Sequence, residues 1–493
     1  MRTRRSFKRS VAVGTIAALL LASCGESDED SEGTEPSPTA APSDSTPSTS
    51  ASGSTATSYT AAASTVPSGG AELQAWYDEV RAAHDGETVT MLMASHPGTA
   101  AFQEIVDEFT ANTGVKVEFD VVEEGAMIEK QIAECGVQSD IYDIYMVAAE
   151  GVTRMAQTEC AAPIEGLDGL GDWYDYEDLE PAYRDLFDVN GTMYGVPFAG
   201  ESVFLMYRKD LFEEYGKEVP ATWDELLETA KWFSENVDGV DGVSFRARQG
   251  WEFTYQYSVF LFPFGGQIVD PATAADCPTG QPSGCPPAID VPGSVAALEY
   301  MTALKDYAPT GIESFSFPEA WQAFQTGKAA MLVEATAAAS EIEDPSKSTV
   351  AGNVGYATLP EGPAGAFTGV WGWGLGLNNH SGNKEAAQAV IEWLTSRAAS
   401  PSYVDAGGVP SRVSDFADPE NQATYPYYGA IGDALAQAAD LAATGNSVVP
   451  QSRAWVAWSD AIGTTGSLAF TGQLDAAEAV TKMQADMEAA LEG

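Results

Sequence analysis

The chain has 493 residues, 24 of them Lys or Arg against 72 Asp or Glu, for a formal net charge of −48 at pH 7. So acidic a chain makes nucleic acid and anionic lipid poor partners, and most of the charge reads as a solubilising surface. Eleven Trp, 19 Tyr and 20 Phe supply enough aromatic volume for the cores of two domains of ordinary size.

The chain opens with Arg2, Arg4, Arg5, Lys8 and Arg9, followed by an apolar run from Val11 to Leu21. That run is too short to cross ~30 Å of hydrocarbon and reads as an export signal. Leu21-Ala22-Ser23-Cys24 resembles the bacterial lipobox, which implies a lipoprotein signal peptide over residues 1–23 and lipid attachment at Cys24. Thr3-Arg4-Arg5-Ser6-Phe7 resembles a twin-arginine signal, so both export routes stay open. Residues 24–70 are rich in Ser, Thr, Pro, Ala and Gly, with no apolar residue larger than Ala before Tyr59. Such a segment buries too little apolar surface to offset its ordering entropy and is expected to act as a disordered tether. Four cysteines remain, Cys135, Cys160, Cys277 and Cys285. An even number in an exported chain argues for two disulfides, and of the three pairings nearness favours Cys135 with Cys160 and Cys277 with Cys285. The absence of Cys-x-x-Cys and the presence of only three His argue against a metal site.

Folded patterns begin near Glu87. Thr88 to Met93 reads as a buried strand, and the next helix carries Phe102, Ile105, Val106 and Phe109 on one face until Asn112-Thr113-Gly114 ends it. Val115 to Phe119 alternates as a second strand, followed by an amphipathic helix at 126–135, a strand at 142–147 and a helix at 151–158. This is a parallel α/β lobe. A second series starts with a strand at 203–207 and a helix at 210–215. Thr222 with Glu225 then makes a capping box for a helix reaching Phe233. Further helices are expected at 295–305, 318–326, 384–396 and 476–491.

Several segments resemble the extracellular solute-binding proteins of ABC importers, in the carbohydrate-binding branch that includes maltose-binding proteins. They are Tyr194-Gly195-Val196-Pro197 through Glu201 to Tyr207-Arg208-Lys209-Asp210-Leu211-Phe212, Pro220 to Leu226, Ala323 to Met331, Gly355 to Pro363, Gly372-Trp373-Gly374 and Gly408 to Arg412. Their order, over about 88–490, carries the likeness. The resemblance implies an α/β, two-lobed, periplasmic-binding-protein-like fold of type II, each lobe a mainly parallel sheet flanked by helices, with ligand in the cleft between them. It places the solute-binding domain at 71–493, with lobe 1 about 86–200 plus 362–394 and lobe 2 about 202–358 plus 397–493. It implies a monomeric binding component without enzymatic activity or cofactor, delivering a carbohydrate-type solute to a membrane permease and meeting the membrane only through its lipid anchor.

Sugar recognition needs flat aromatic faces and planar side chains that exchange hydrogen bonds with hydroxyls. Carried over from the maltose-binding pattern, His96, Glu150, Glu201, Tyr255 and Trp458 are expected at the ligand, His96 standing where the pattern has an acid. Trp371 and Trp373, in what reads as a Gly-rich loop, join them. Trp251, Glu252, Phe198, Glu334 and Arg412 form a second rank. Val147 and Ala337 replace two stacking tryptophans of the pattern and Pro97 a lysine, which argues against maltose. Two other readings are a cationic solute held in an acidic, aromatic cage, and a secreted glycoside hydrolase using Glu150 and Glu201.

Overall fold

The computed structural model describes residues 70–271, 286–450, 452 and 454–492. The signal peptide, the tether, Cys24 and the Cys277–Cys285 pairing lie outside the described residues.

After helix α1 (Gly70–His84), strand β1 (Thr88–Ala94) enters the protein interior, helix α2 (Pro97–Thr113) follows, and β2 (Lys116–Val122) lies parallel to β1. Helix α2 starts with Pro97 at its first turn and ends at Gly114, whose φ of 80° is open to glycine and costly for other residues. Helix α3 (Glu124–Gly136) leads to β3 (Ile144–Ala148), also parallel to β1. A turn of 3-10 helix at Ala149–Gly151, helix α4 (Val152–Gln157), the short β4 (Ala161–Ala162) and helix α5 (Pro181–Arg184) complete the first half.

Strand β5 (Val196–Arg208) is thirteen residues long and almost wholly buried. Past it come α6 (Lys209–Tyr215), α7 (Trp223–Asn236), β6 (Asp241–Ser244) and α8 (Trp251–Leu261). The expected capping box opens α7, with Glu225 N donating to Thr222 Oγ1 and Thr222 N to Glu225 Oε2. β7 (Ala329–Ala335), β8 (Val354–Ala357) and β9 (Val370–Asn378) follow among further helices.

The strand order is β2-β1-β3-β9-β5-β7-β6, with β4 on β9 and β8 on β5. β1, β2 and β3 are parallel, as are β6 and β7, whereas β9 runs antiparallel to β3 and β5, and β5 antiparallel to β7 and β8. β5 changes partner midway. Its residues 196–202 pair with β9 and its residues 203–207 with β7. Two main hydrophobic cores lie on either side of this switch. One contains Met91, Phe102, Phe109 and Trp393, the other Trp223, Phe260, Met331 and Trp458.

The structure departs from the sequence reading at Trp371 and Trp373, which lie on β9 and not in a loop. Glycines alternate with large residues because neighbouring groups stand where their side chains would project. A Cβ at Gly374 would come within 2.7 Å of the Phe187 ring, and one at Gly376 within 2.6 Å of Val147. The segment 397–412, expected in lobe 2, lies against the first half: Tyr403 and Val409 join the first core and Gly200 N donates to Pro410 O.

Candidate functional site

In open α/β sheets, side chains that meet a ligand gather beyond the carboxyl ends of parallel strands. His96 follows β1, Glu124 follows β2 and Glu150 follows β3. All three line one cleft with Glu201, Arg246, Trp251, Tyr255, Phe317, Trp371, Gly372 and Trp373. The cleft has a volume of about 420 Å³ including its mouth.

His96 is the N-cap of α2. Its Nδ1 accepts from Gly98 N at 3.0 Å, so the ring proton sits on Nε2, which donates to Glu201 Oε1 at 2.9 Å. Gly98 is required here, since a Cβ would lie 2.5 Å from Tyr403 Oη. Glu201 stands on β5 opposite Trp371, one residue before the last β9 pair at Ser202.

Arg246 follows β6 and is buried. Its Nε and Nη2 donate to the two oxygens of Glu334 at 3.0 and 2.5 Å, and its Nη1 to Glu252 at 3.0 Å. Glu252 also accepts from Arg248 at 3.2 Å. The Arg246 guanidinium lies 3.9 Å from the Tyr255 ring centroid and 4.8 Å from that of Phe317. Its charge is thus matched by two carboxylates. Tyr255 packs 4.7 Å from Trp371, and its buried hydroxyl has no hydrogen-bond partner among the described residues.

Glu124 and Glu150 have no ion-pair partner among the described residues. Desolvation, with the nearby Glu201 carboxylate, pushes Glu150 up to about 7. Glu124 is pushed up to about 8, chiefly by desolvation, with Glu252, Glu150 and Glu201 adding and Arg246 opposing. The cleft thus offers carboxyl groups that accept or, when protonated, donate hydrogen bonds, facing an aromatic wall.

Of the expected residues, the structure brings His96, Glu150, Glu201, Tyr255, Trp371 and Trp373 together. Trp458 is a correction. It is fully buried in the second core, on the helix Trp455–Phe470, and its Nε1 donates to Met487 O at 2.8 Å. In the second rank, Trp251 lines the cleft, Glu252 and Glu334 act through Arg246, and Phe198 packs edge-on behind His96. Arg412 is structural: its guanidinium ties Thr395 O, Asp175 O and Asp178 together. Sequence reading missed Glu124, Arg246 and Phe317. Glu124 carried a usable signal, being placed after β2 as His96 is after β1.

This topology and cleft define a two-lobed α/β binding fold. The chain belongs to the bacterial extracellular solute-binding protein family, whose model matches residues 94–401. It is extracytoplasmic and, like its relatives, a binding protein and not an enzyme. It is 28% identical to a mannitol-binding protein of Pseudomonas aeruginosa over 66% of this chain and 73% of that one. It is 23% identical to an erythritol/L-threitol-binding protein of Mycolicibacterium smegmatis over 73% and 76%. Among solved structures, an Agrobacterium vitis solute-binding protein with bound D-mannitol superposes with a TM-score of 0.72 at 27% identity, covering 82% of this chain and 98% of that one. An Agrobacterium radiobacter protein in complex with ribitol gives 0.74 at 23% identity, covering 82% and 99%.

Proposed function

We propose that the protein captures a short neutral polyol or small sugar in this cleft and delivers it to the membrane permease of an ABC importer. The observation that carries the reading is the pairing of carboxyls with an aromatic wall while the one cleft arginine is neutralised by Glu334 and Glu252. Such a site offers hydroxyls many partners and gives an anion none. Val147 and Ala337 are both buried and leave no aromatic face where a maltose binder would stack its sugar, which favours a smaller ligand. The polyol-binding relatives point the same way.

A ligand enters when the lobes part, and closure about the switch in β5 completes the site. The lipobox-like signal and the composition of residues 24–70 support acylation at Cys24 and a long leash to the membrane. Mass of the mature protein from membranes of the producing cell tests the acylation. Isothermal titration against D-mannitol, ribitol, erythritol, D-glucose and maltose tests the ligand class: micromolar or tighter binding of a polyol is expected, and silence across the panel overturns it. A second reading, a cationic solute, draws on Glu124 and Glu150 lacking a paired cation. It requires binding that weakens steeply with salt, whereas neutral-polyol binding holds.

A further inference from the structure

Resting on that reading of the cleft, we infer that the Cys135–Cys160 disulfide is a positioning element for Glu124, and so sets ligand affinity as well as stability. Helix α3 presents Glu124 at its first residue and Cys135 in its last turn. Across the bridge, Cys160 is buried and fixed: its N donates to Met155 O on α4, and its O accepts from Asn379 N just past β9. The Cα atoms of the two cysteines are 5.3 Å apart. The same bridge returns the chain to Glu150, ten residues before Cys160. Glu150 follows the wholly buried β3 by two residues and is held there without the bridge, so the bridge bears on Glu124.

The helix needs this fastening because little else holds it. Of its thirteen residues only Met127 and Gln131 are buried, and Ile132 is exposed. Gln131 Nε2 donates to Met146 O at 3.2 Å, and Lys130 pairs with Asp120 at 2.6 Å on a half-exposed surface, a contact of small net value. The last turn has no buried apolar residue, so without the bridge the hold on α3 rests on Met127, the half-buried Ile128 and the Gln131 hydrogen bond, and the helix is expected to shift. A helix is stiff, and a shift at its end carries to the carboxyl at its start. Displacement of a binding group by an ångström is enough to weaken recognition substantially.

The test compares wild type, the double variant Cys135→Ser with Cys160→Ser, Gln131→Ala, Glu124→Ala, and each of the first two changes combined with Glu124→Ala. Titration with D-mannitol well below the melting midpoint is expected to show about tenfold weaker binding on loss of either anchor. In the Glu124→Ala background the same losses leave affinity unchanged, although the melting temperature still falls. Equal weakening in both backgrounds, or none, overturns the proposal. If the double variant does not fold, reduction of the folded wild type breaks the same bond and decides the matter, while Gln131→Ala, which keeps the disulfide, tests the second anchor of the helix. Amide hydrogen exchange supplies a readout without ligand: the amides of residues 127–130, which close the first turn of α3, are expected to lose protection while β3 keeps it. If mannitol does not bind wild type, the ligand reading fails but the exchange result still stands for or against the positioning of Glu124.

Discussion

Ligand binding is expected to strengthen as pH falls. In the closed cleft Glu150 titrates at about 7 and Glu124 at about 8, against 4.5 for an ordinary glutamate. When the lobes part, water reaches both carboxyls and they return toward the ordinary value. A carboxyl whose pKa is raised in the closed state holds its proton there to higher pH than in the open state. Closure therefore takes up protons, is favoured below the ordinary pKa, and loses that advantage as pH rises through 7 and then 8. Two protons are involved between roughly pH 5 and 7 and one between 7 and 8. Between pH 6 and 8, unaltered shifts would weaken the affinity for a neutral polyol about 500-fold. Ligand hydroxyls donating to the carboxylates pull both values down, so a loss of about tenfold is the expected figure. Isothermal titration of D-mannitol at several pH values, in buffers of differing ionisation enthalpy, counts the protons directly. Affinity flat from pH 6 to 8 with no buffer-dependent heat would refute the reasoning, and affinity rising with pH would transfer the site to a cationic ligand.

The buried ion pair gives a stability prediction. Glu334→Ala strands the Arg246 charge and is expected to cost about 3–5 kcal/mol in urea unfolding, while Arg248, half-exposed at the edge of the same network, gives less than 1 kcal/mol on change to Ala. Trp458→Ala is expected to cost about 3–5 kcal/mol with the affinity of the folded fraction unchanged, and Trp251→Ala the reverse, about tenfold in affinity with little change in melting temperature; calorimetric melts and mannitol titrations separate the two. A Cβ at Gly200 would lie 1.9 Å from Tyr183 Cε2 in the interior, so Gly200→Ala is expected to destabilise by about 1–3 kcal/mol in urea unfolding.

Much of the fold was legible because its signals are local. The capping box at Thr222 and Glu225, the stop at Gly114 and the buried run of β1 are each written within a few residues. β9 was misread because glycine is depleted in strands, although Trp371, Trp373, Leu375 and Leu377 recur at the strand period with glycine between them. Tyr183, Phe187 and Val147, which make those glycines necessary, come from distant parts of the chain. Trp458 failed differently: Trp455, Trp458 and Ile462 form a helical stripe that points to a core, and positional likeness to the family's pattern overrode it. Arg246 and Phe317 left no pattern at all, since their role arises only where β7 and α8 bring Glu334 and Tyr255 around the guanidinium.

Glu201 lies beside the point where β5 passes from one partner strand to the other. A pin about which a door swings does not travel with the door. The His96–Glu201 pair is accordingly expected to stay assembled whether the lobes are apart or together, with Trp251, Tyr255 and Arg246 arriving from the far side. Capture is thereby divided in time: a standing seat receives the solute, and a moving wall decides how long it stays. Changes to the seat should register in the rate of association, and changes along α8 in the rate of escape.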